Sequence, residues 1–347
     1  MALRPAEGSP GPPWERPLRG ALDRLVVESE CLAGNPLGDP ARRPLWVYRA
    51  PGVGDDPVPA VYVIQGFMGQ VDMWFTRNPF QPTVIEAFDA LFASGACPDA
   101  ILVFVDAWTS YGGSQFLNSS GTGRYMDYLC DEVVEFVDSR YPTIGDRDHR
   151  GLAGKSSGGY GAMVVPMLRP DVFGALASHA GDALFEAAYQ PEFPTFVRTI
   201  RDRFDGSIDV FFEQLAAFTH FDMDRFRAIE FYGYAAAYSP DPERPGKALL
   251  PVDLASGRLL EDVWAQWLEK DPVRMAPAHA DALRSMRRIY VDAGRNDEFF
   301  LDLGATAFGA ELDKLGVEHT VELFEGKHAG IAWRYPGALR ELVLALQ

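Results

Sequence analysis

Cysteine is scarce in this 347-residue chain: Cys31, Cys97 and Cys130 are odd in number and far apart. They form neither a disulfide framework nor a metal-ligand cluster, and they suit a reducing compartment. Long apolar runs are missing as well. No stretch approaches the ~18 residues that a membrane-spanning helix needs. The start, MALRPAEGSPGPPWERPLRG, is rich in Pro and Gly rather than basic and then apolar. It reads as a flexible arm over residues 1–23, and a cytoplasmic location with no membrane partner is expected. Basic residues are outnumbered, 32 Lys and Arg against 49 Asp and Glu, so the formal charge is −17. The arginines are scattered among carboxylates without a basic patch, which argues against nucleic acid as a partner. No internal repeat is present. What is there is a globular composition, 47% hydrophobic and 23% charged, long enough for one large core or two ordinary ones.

Two β-like runs, Leu25–Cys31 and Pro44–Tyr48, flank a Gly/Asn/Pro turn and predict an edge hairpin. Ala60–Ile64 and Ala100–Val105 are short, continuous apolar runs, the pattern of strands buried on both faces. Helical spacing marks Thr83–Ser94 and Tyr125–Tyr141. Further strands are expected at Arg150–Ala153, Ala175–His179, Arg287–Asp292 and His319–Phe324, with helices at Gly159–Leu168, Leu301–Leu315 and Gly337–Leu346. Alternating strands and helices predict an α/β fold with a mostly parallel central sheet and helices on both faces. Residues 183–283 break the alternation. Their aromatic stripes, Phe204, Phe211 and Phe218 among them, read as a small helical core, hence a helical cap inserted into a domain formed by 24–182 and 284–347.

The segment Gly151–Ala162, GLAGKSSGGYGA, admits two readings. Gly154-Lys155-Ser156 resembles the end of a phosphate-binding loop, but that loop needs a glycine where His149 stands. Gly154-x-Ser156-x-Gly158 between a strand and a helix is instead a nucleophile elbow, a strained turn that presents a serine at the end of a sheet. If Ser156 is the nucleophile, an acid and then a histidine should follow, each after a later strand. His328 lies after the last strand, whereas His179 comes too early to leave an acid ahead of it. Asp297 lies past the turn after the Arg287–Asp292 strand; Glu298 and Asp182 are its rivals. An oxyanion hole needs two N–H donors, expected at Ser157, after the nucleophile, and at Phe67 in the loop Ile64–Gly69. Trp74, Trp108 and Tyr111 are candidates to line a substrate pocket, as are Phe75 and Phe116.

GLAGKSSGGYGAM resembles the GLSMGGYGA signature of the putative-esterase branch of α/β-hydrolases, which includes S-formylglutathione hydrolase, enterochelin-esterase-like proteins and mycolyltransferases. DAGRNDEFF around Asp297 and GKHAGIAW around His328 fit the same layout. The resemblance implies an α/β-hydrolase fold and a serine esterase using Ser156, Asp297 and His328, with no cofactor or metal. Lys155 and Ser157 depart from the family pattern, and the insertion is longer than its compact members carry. The expected partner is a small-molecule ester or thioester. An acyltransferase on the same triad and a non-catalytic binding protein on a hydrolase scaffold are the alternatives, and the arm and the insertion are surfaces a homo-oligomer would use.

Overall fold

The computed structural model describes residues 16–77, 80–215, 217–220 and 222–347. Among the described residues ten strands occur: β1 Ala21–Glu28, β2 Arg42–Arg49, β3 Ala60–Ile64, β4 Ile101–Val105, β5 Asn118–Ser119, β6 Gly123–Arg124, β7 Arg150–Lys155, β8 Ala175–His179, β9 Arg288–Gly294 and β10 Thr320–Phe324. Short β5 and β6 pair only with each other; the rest make one sheet in the order β1-β2-β4-β3-β7-β8-β9-β10. From β4 to β10 every pairing is parallel, and β1 and β2 form the antiparallel edge hairpin that the sequence predicts.

Both faces are covered, because successive residues of a strand point to opposite sides. Val61 and Val63 of β3 pack in a cluster with Phe88 and Phe92 of the helix Val84–Ala93 and with Leu339 and Leu342 of the helix Tyr335–Ala345. Tyr62 and Ile64 face the other way, toward Tyr128, Leu129, Val133 and Val137. Those four belong to the helical segment starting at Tyr125, which takes a π turn over Tyr128–Val133 and ends at Asp138, three residues earlier than expected.

The boundary of the expected arm is corrected. Residues 1–15 lie outside the described residues, but 16–23 are tied down. The amides of Arg19 and Gly20 each donate to Asp89 Oδ1 at 2.8 Å, Tyr48 Oη–H donates to the same oxygen, and β1 starts at Ala21. A buried carboxylate fed by three donors fixes the chain there.

Between β8 and β9 the chain is helical, as the aromatic spacing predicts, with helices that include Phe193–Arg203, Met223–Tyr238 and Glu261–Leu268. Among the described residues this stretch makes only isolated bridges, Pro240 to Ala248 and Val252 to Leu259. Its aromatic side chains pack on each other: Phe196 stacks on Phe231 at 4.1 Å, and Trp267, fully buried, lies 5.3 Å from Tyr238 and 5.5 Å from Tyr189.

Candidate active site

After β3 the chain crosses to β4 on one side of it, then returns to β7 on the other. Such a reversal of strand order leaves a crevice at the carboxyl ends of β3 and β7, the usual place for a ligand in an open parallel sheet. Ser156 follows β7 directly and precedes the helix Ser157–Leu168. Its backbone sits at φ 58°, ψ −126°, a conformation that costs a non-glycine residue about 1–3 kcal/mol and that the surrounding packing must hold. Gly158 shows why the elbow is rich in glycine: a Cβ there would lie 2.4 Å from Ile64 O. The helix can therefore sit against β3 only without side chains at this point.

The turns after β9 and β10 are laced together by Arg295 N–H to Phe324 O, 2.8 Å, and Asn296 N–H to Gly326 O, 2.9 Å. They bring three side chains into one line. Ser156 Oγ is 3.1 Å from His328 Nε2, and His328 Nδ1 is 2.8 Å from Asp297 Oδ2. The Asp297 side chain is fully buried, and its other oxygen accepts the Phe299 N–H at 2.9 Å. With Nδ1–H donating to this carboxylate, Nε2 is left as the acceptor for the serine hydroxyl.

The rival acids stand elsewhere. Glu298 accepts the backbone N–H of His328 at 3.0 Å, and that bond holds its carboxyl below the usual range. Asp182, after β8, accepts from Tyr189 Oη at 2.9 Å and from Gln115 Nε2 at 3.2 Å, while burial raises its proton affinity. Among the described residues Asp297 is the carboxylate that meets the imidazole of His328.

The β3 loop lies against the elbow: a Cβ on Gly66 would come within 3.3 Å of Ser156 Cβ. The next residue, Phe67, has an amide that no acceptor among the described residues takes, and its ring packs 5.3 Å from Tyr234 of the insertion. Ser157 is the first residue of its helix, where the amide has no intrahelical acceptor. The two amides expected as oxyanion donors thus belong to residues next to the elbow, Ser157 directly after Ser156 and Phe67 directly after Gly66.

The expected pocket residues need correction. A narrow cavity beside Ser156 is lined by Asp182, Tyr189, Glu192, Glu230, Tyr234 and Phe299, not by Trp74, Trp108 or Tyr111. Trp74 is buried in the core between Phe104 and Tyr335. Tyr111 packs on Phe212 and Tyr232 and donates to Gly246 O, and Trp108 is half-buried with its carbonyl bonded to Arg43. Bulk aromatics fill the base of the insertion, while carboxyls and tyrosine hydroxyls face the nucleophile. Spacing held one clue, Glu230 and Tyr234 four apart on one helix face, where the Tyr234 hydroxyl donates to Glu230 at 3.0 Å. Lys155 is half-buried, and burial pulls its ammonium down to about 8 against the opposing pull of Asp297, Asp182 and Glu230. Among the described residues no cluster of metal-binding side chains is present, and no helix is long and apolar enough to cross a membrane.

Comparison with known proteins adds three observations. The sequence model of the family described as Putative esterase matches residues 47–336. An uncharacterized protein of Corynebacterium glutamicum is 25% identical over 172 residues, 49% of this chain; the chain spans 38% of that relative's length. Among solved structures, a ferulic acid esterase superposes with TM-score 0.59 at 20% identity, over 95% of this chain and 100% of the other. An S-formylglutathione hydrolase from Agrobacterium tumefaciens does so with TM-score 0.59 at 14% identity, over 96% and 98%. At these identities the shared feature is the α/β-hydrolase fold.

Proposed function

The chain belongs to the Putative esterase family of esterase-type hydrolases, and from that premise we propose that it cleaves carboxylic esters or thioesters through an acyl-enzyme formed on Ser156. The observation that carries this reading is the unbroken line from Ser156 Oγ through His328 to buried Asp297. His328 Nε2 takes the hydroxyl proton as Oγ bonds to the carbonyl carbon. The oxyanion is met by the Phe67 and Ser157 N–H groups, with the positive end of the Ser157–Leu168 helix behind them. His328 then passes its proton to the leaving alkoxide or thiolate as that bond breaks. Water attacks the acyl-serine with His328 again as base, and release of the acid restores Ser156. Asp297 holds the imidazole in the tautomer this sequence needs. Residues 183–283 act as a cap over the nucleophile, supplying Tyr189, Glu192, Glu230 and Tyr234 to the cavity wall.

The test is hydrolysis of p-nitrophenyl acetate by wild type and Ser156→Ala. Loss of turnover by about 10⁵–10⁶-fold is expected, by analogy with removal of the nucleophile in other serine hydrolases. An alanine variant as fast as wild type overturns the assignment.

A further inference from the structure

His179 comes too early in the chain to serve Ser156 as base, yet it is buried beside the elbow and has a carboxylate of its own. Its backbone carbonyl accepts the Ser156 N–H at 2.9 Å, and its Nδ1 lies 2.7 Å from Asp292 Oδ1. The other oxygen of Asp292 accepts from Arg334 Nε at 2.9 Å. Arg334 closes the short 3₁₀ turn Ala332–Arg334 that follows the His328 segment, and its guanidinium also donates to Tyr290 Oη and to Glu322. A chain of bonds therefore runs from the backbone of Ser156 through His179 and Asp292 to the loop that carries His328.

The Asp292 side chain is fully buried. Burial alone would raise its proton affinity, but His179 and Arg334 hold the carboxyl below its usual range, so it stays ionised. A buried ion pair stabilises a fold no better than apolar residues of the same volume; what directional bonds add is a single register. The His328 segment needs one. Among the described residues Lys327–Gly330 make no backbone–backbone hydrogen bond. The His328 N–H is held by Glu298 at 3.0 Å, and downstream the loop is anchored by Arg334. We propose that Arg334 is a positioning residue: docked on Asp292 and, through it, on His179, it sets the His328 loop against β8 and β9 so that Nε2 meets Ser156 Oγ. It touches no reacting atom. The inference rests on the proposed function, in which His328 is the base for Ser156.

Arg334→Gln removes the charged fork. On p-nitrophenyl acetate its kcat and kcat/KM should fall together by about ten- to hundredfold with KM unchanged, the pattern of a misplaced catalytic group. Arg334→Lys, which keeps the charge but not the fork, should lose about threefold or more, and it serves in place of Arg334→Gln if that variant does not fold. The control is Arg288→Gln, which breaks a comparable tie, from β9 to Thr320 and Glu341, at the opposite ends of the same strands. It should cost stability and keep kcat within about twofold. Proton NMR adds a readout that stability alone does not move: the far-downfield Nδ1–H signal of His328, assigned by its loss in His328→Ala, should shift or broaden in the Arg334 variants and stay in place in Arg288→Gln. Wild-type kcat in folded Arg334 variants, a loss confined to KM, an unmoved His328 signal, or an equal kcat loss in Arg288→Gln overturns the inference. Fluorophosphonate labelling separates this failure from failure of the esterase reading. Labelling of Ser156 at the wild-type rate in the Arg334 variants overturns only the inference, whereas a wild-type protein that neither labels nor turns over overturns both.

Discussion

The strand-end loops and the helical insertion reach the same cavity by different means. The loops after β3, β7, β9 and β10 are short, fixed by parallel strands, and hold their groups to hydrogen-bond distances. The insertion places Tyr189, Glu192, Glu230 and Tyr234 from helices whose own cohesion is aromatic, with Trp267 and Phe231 at its centre. Under the proposed function, bond-making falls to the strand ends and choice of substrate to the insertion. A group on the sheet edge should be felt in kcat, and a group on the insertion in stability or in the ratio between substrates.

The largest effect that can break this division is at Asp297. Asp297→Asn presents the wrong tautomer of His328 to Ser156 and should lower kcat by about 10⁴-fold. Glu298→Gln, which weakens the bond to the His328 backbone and removes the ion pair with Lys327, should cost about tenfold or less. Steady-state kinetics on the two variants checks the order, and equal losses would move the acid role away from Asp297.

On the other side, Trp267→Ala should destabilise the protein by about 3–5 kcal/mol, read from urea unfolding, because a fully buried ring and its 2.8 Å Nε1–H bond to Ser239 are lost. The folded fraction should keep its kcat on p-nitrophenyl acetate within about tenfold. A collapse of kcat with stability intact would place the insertion in the chemistry itself.

A pH-dependent effect sharpens the electrostatics of the wall. Burial raises Glu230 from 4.5 to about 8, so the folded chain keeps a proton that the unfolded chain releases. That contribution to stability is full below about pH 4.5 and is lost as pH rises through about 8. Glu230→Gln should therefore flatten the fall in unfolding free energy across this window. Lys155 works in the opposite sense: its lowered value makes stability rise between about pH 8 and 10.5. Parallel pH profiles for wild type and Glu230→Gln would contradict a raised Glu230.

How much of this was readable in the sequence follows the same division. β3 at Ala60–Ile64 and β8 at Ala175–His179 stand where their apolar runs lie, because strands buried on both faces leave an unbroken hydrophobic signal. Ser156, Asp297 and His328 were legible because each follows a strand in a fixed order. Chain order does not tell which aromatic residue lines a cavity. Trp74 and Tyr111 were expected there and lie in packing, since an aromatic ring suits a core and a pocket equally well in sequence. Glu192 and Glu230 were passed over because a carboxylate on a helix ordinarily faces water, and only the folded arrangement of two helices and the β8 turn puts three of them around one space.

The central claim is that Ser156 is the nucleophile, presented by the elbow at the strand-order reversal and activated by His328. Reaction with a fluorophosphonate, followed by peptide mapping of the adduct by mass spectrometry, tests it most directly. One adduct per chain on Ser156, lost in Ser156→Ala and strongly slowed in His328→Ala, is the predicted result; stable modification of another residue, or labelling of the alanine variant at the wild-type rate, would contradict it.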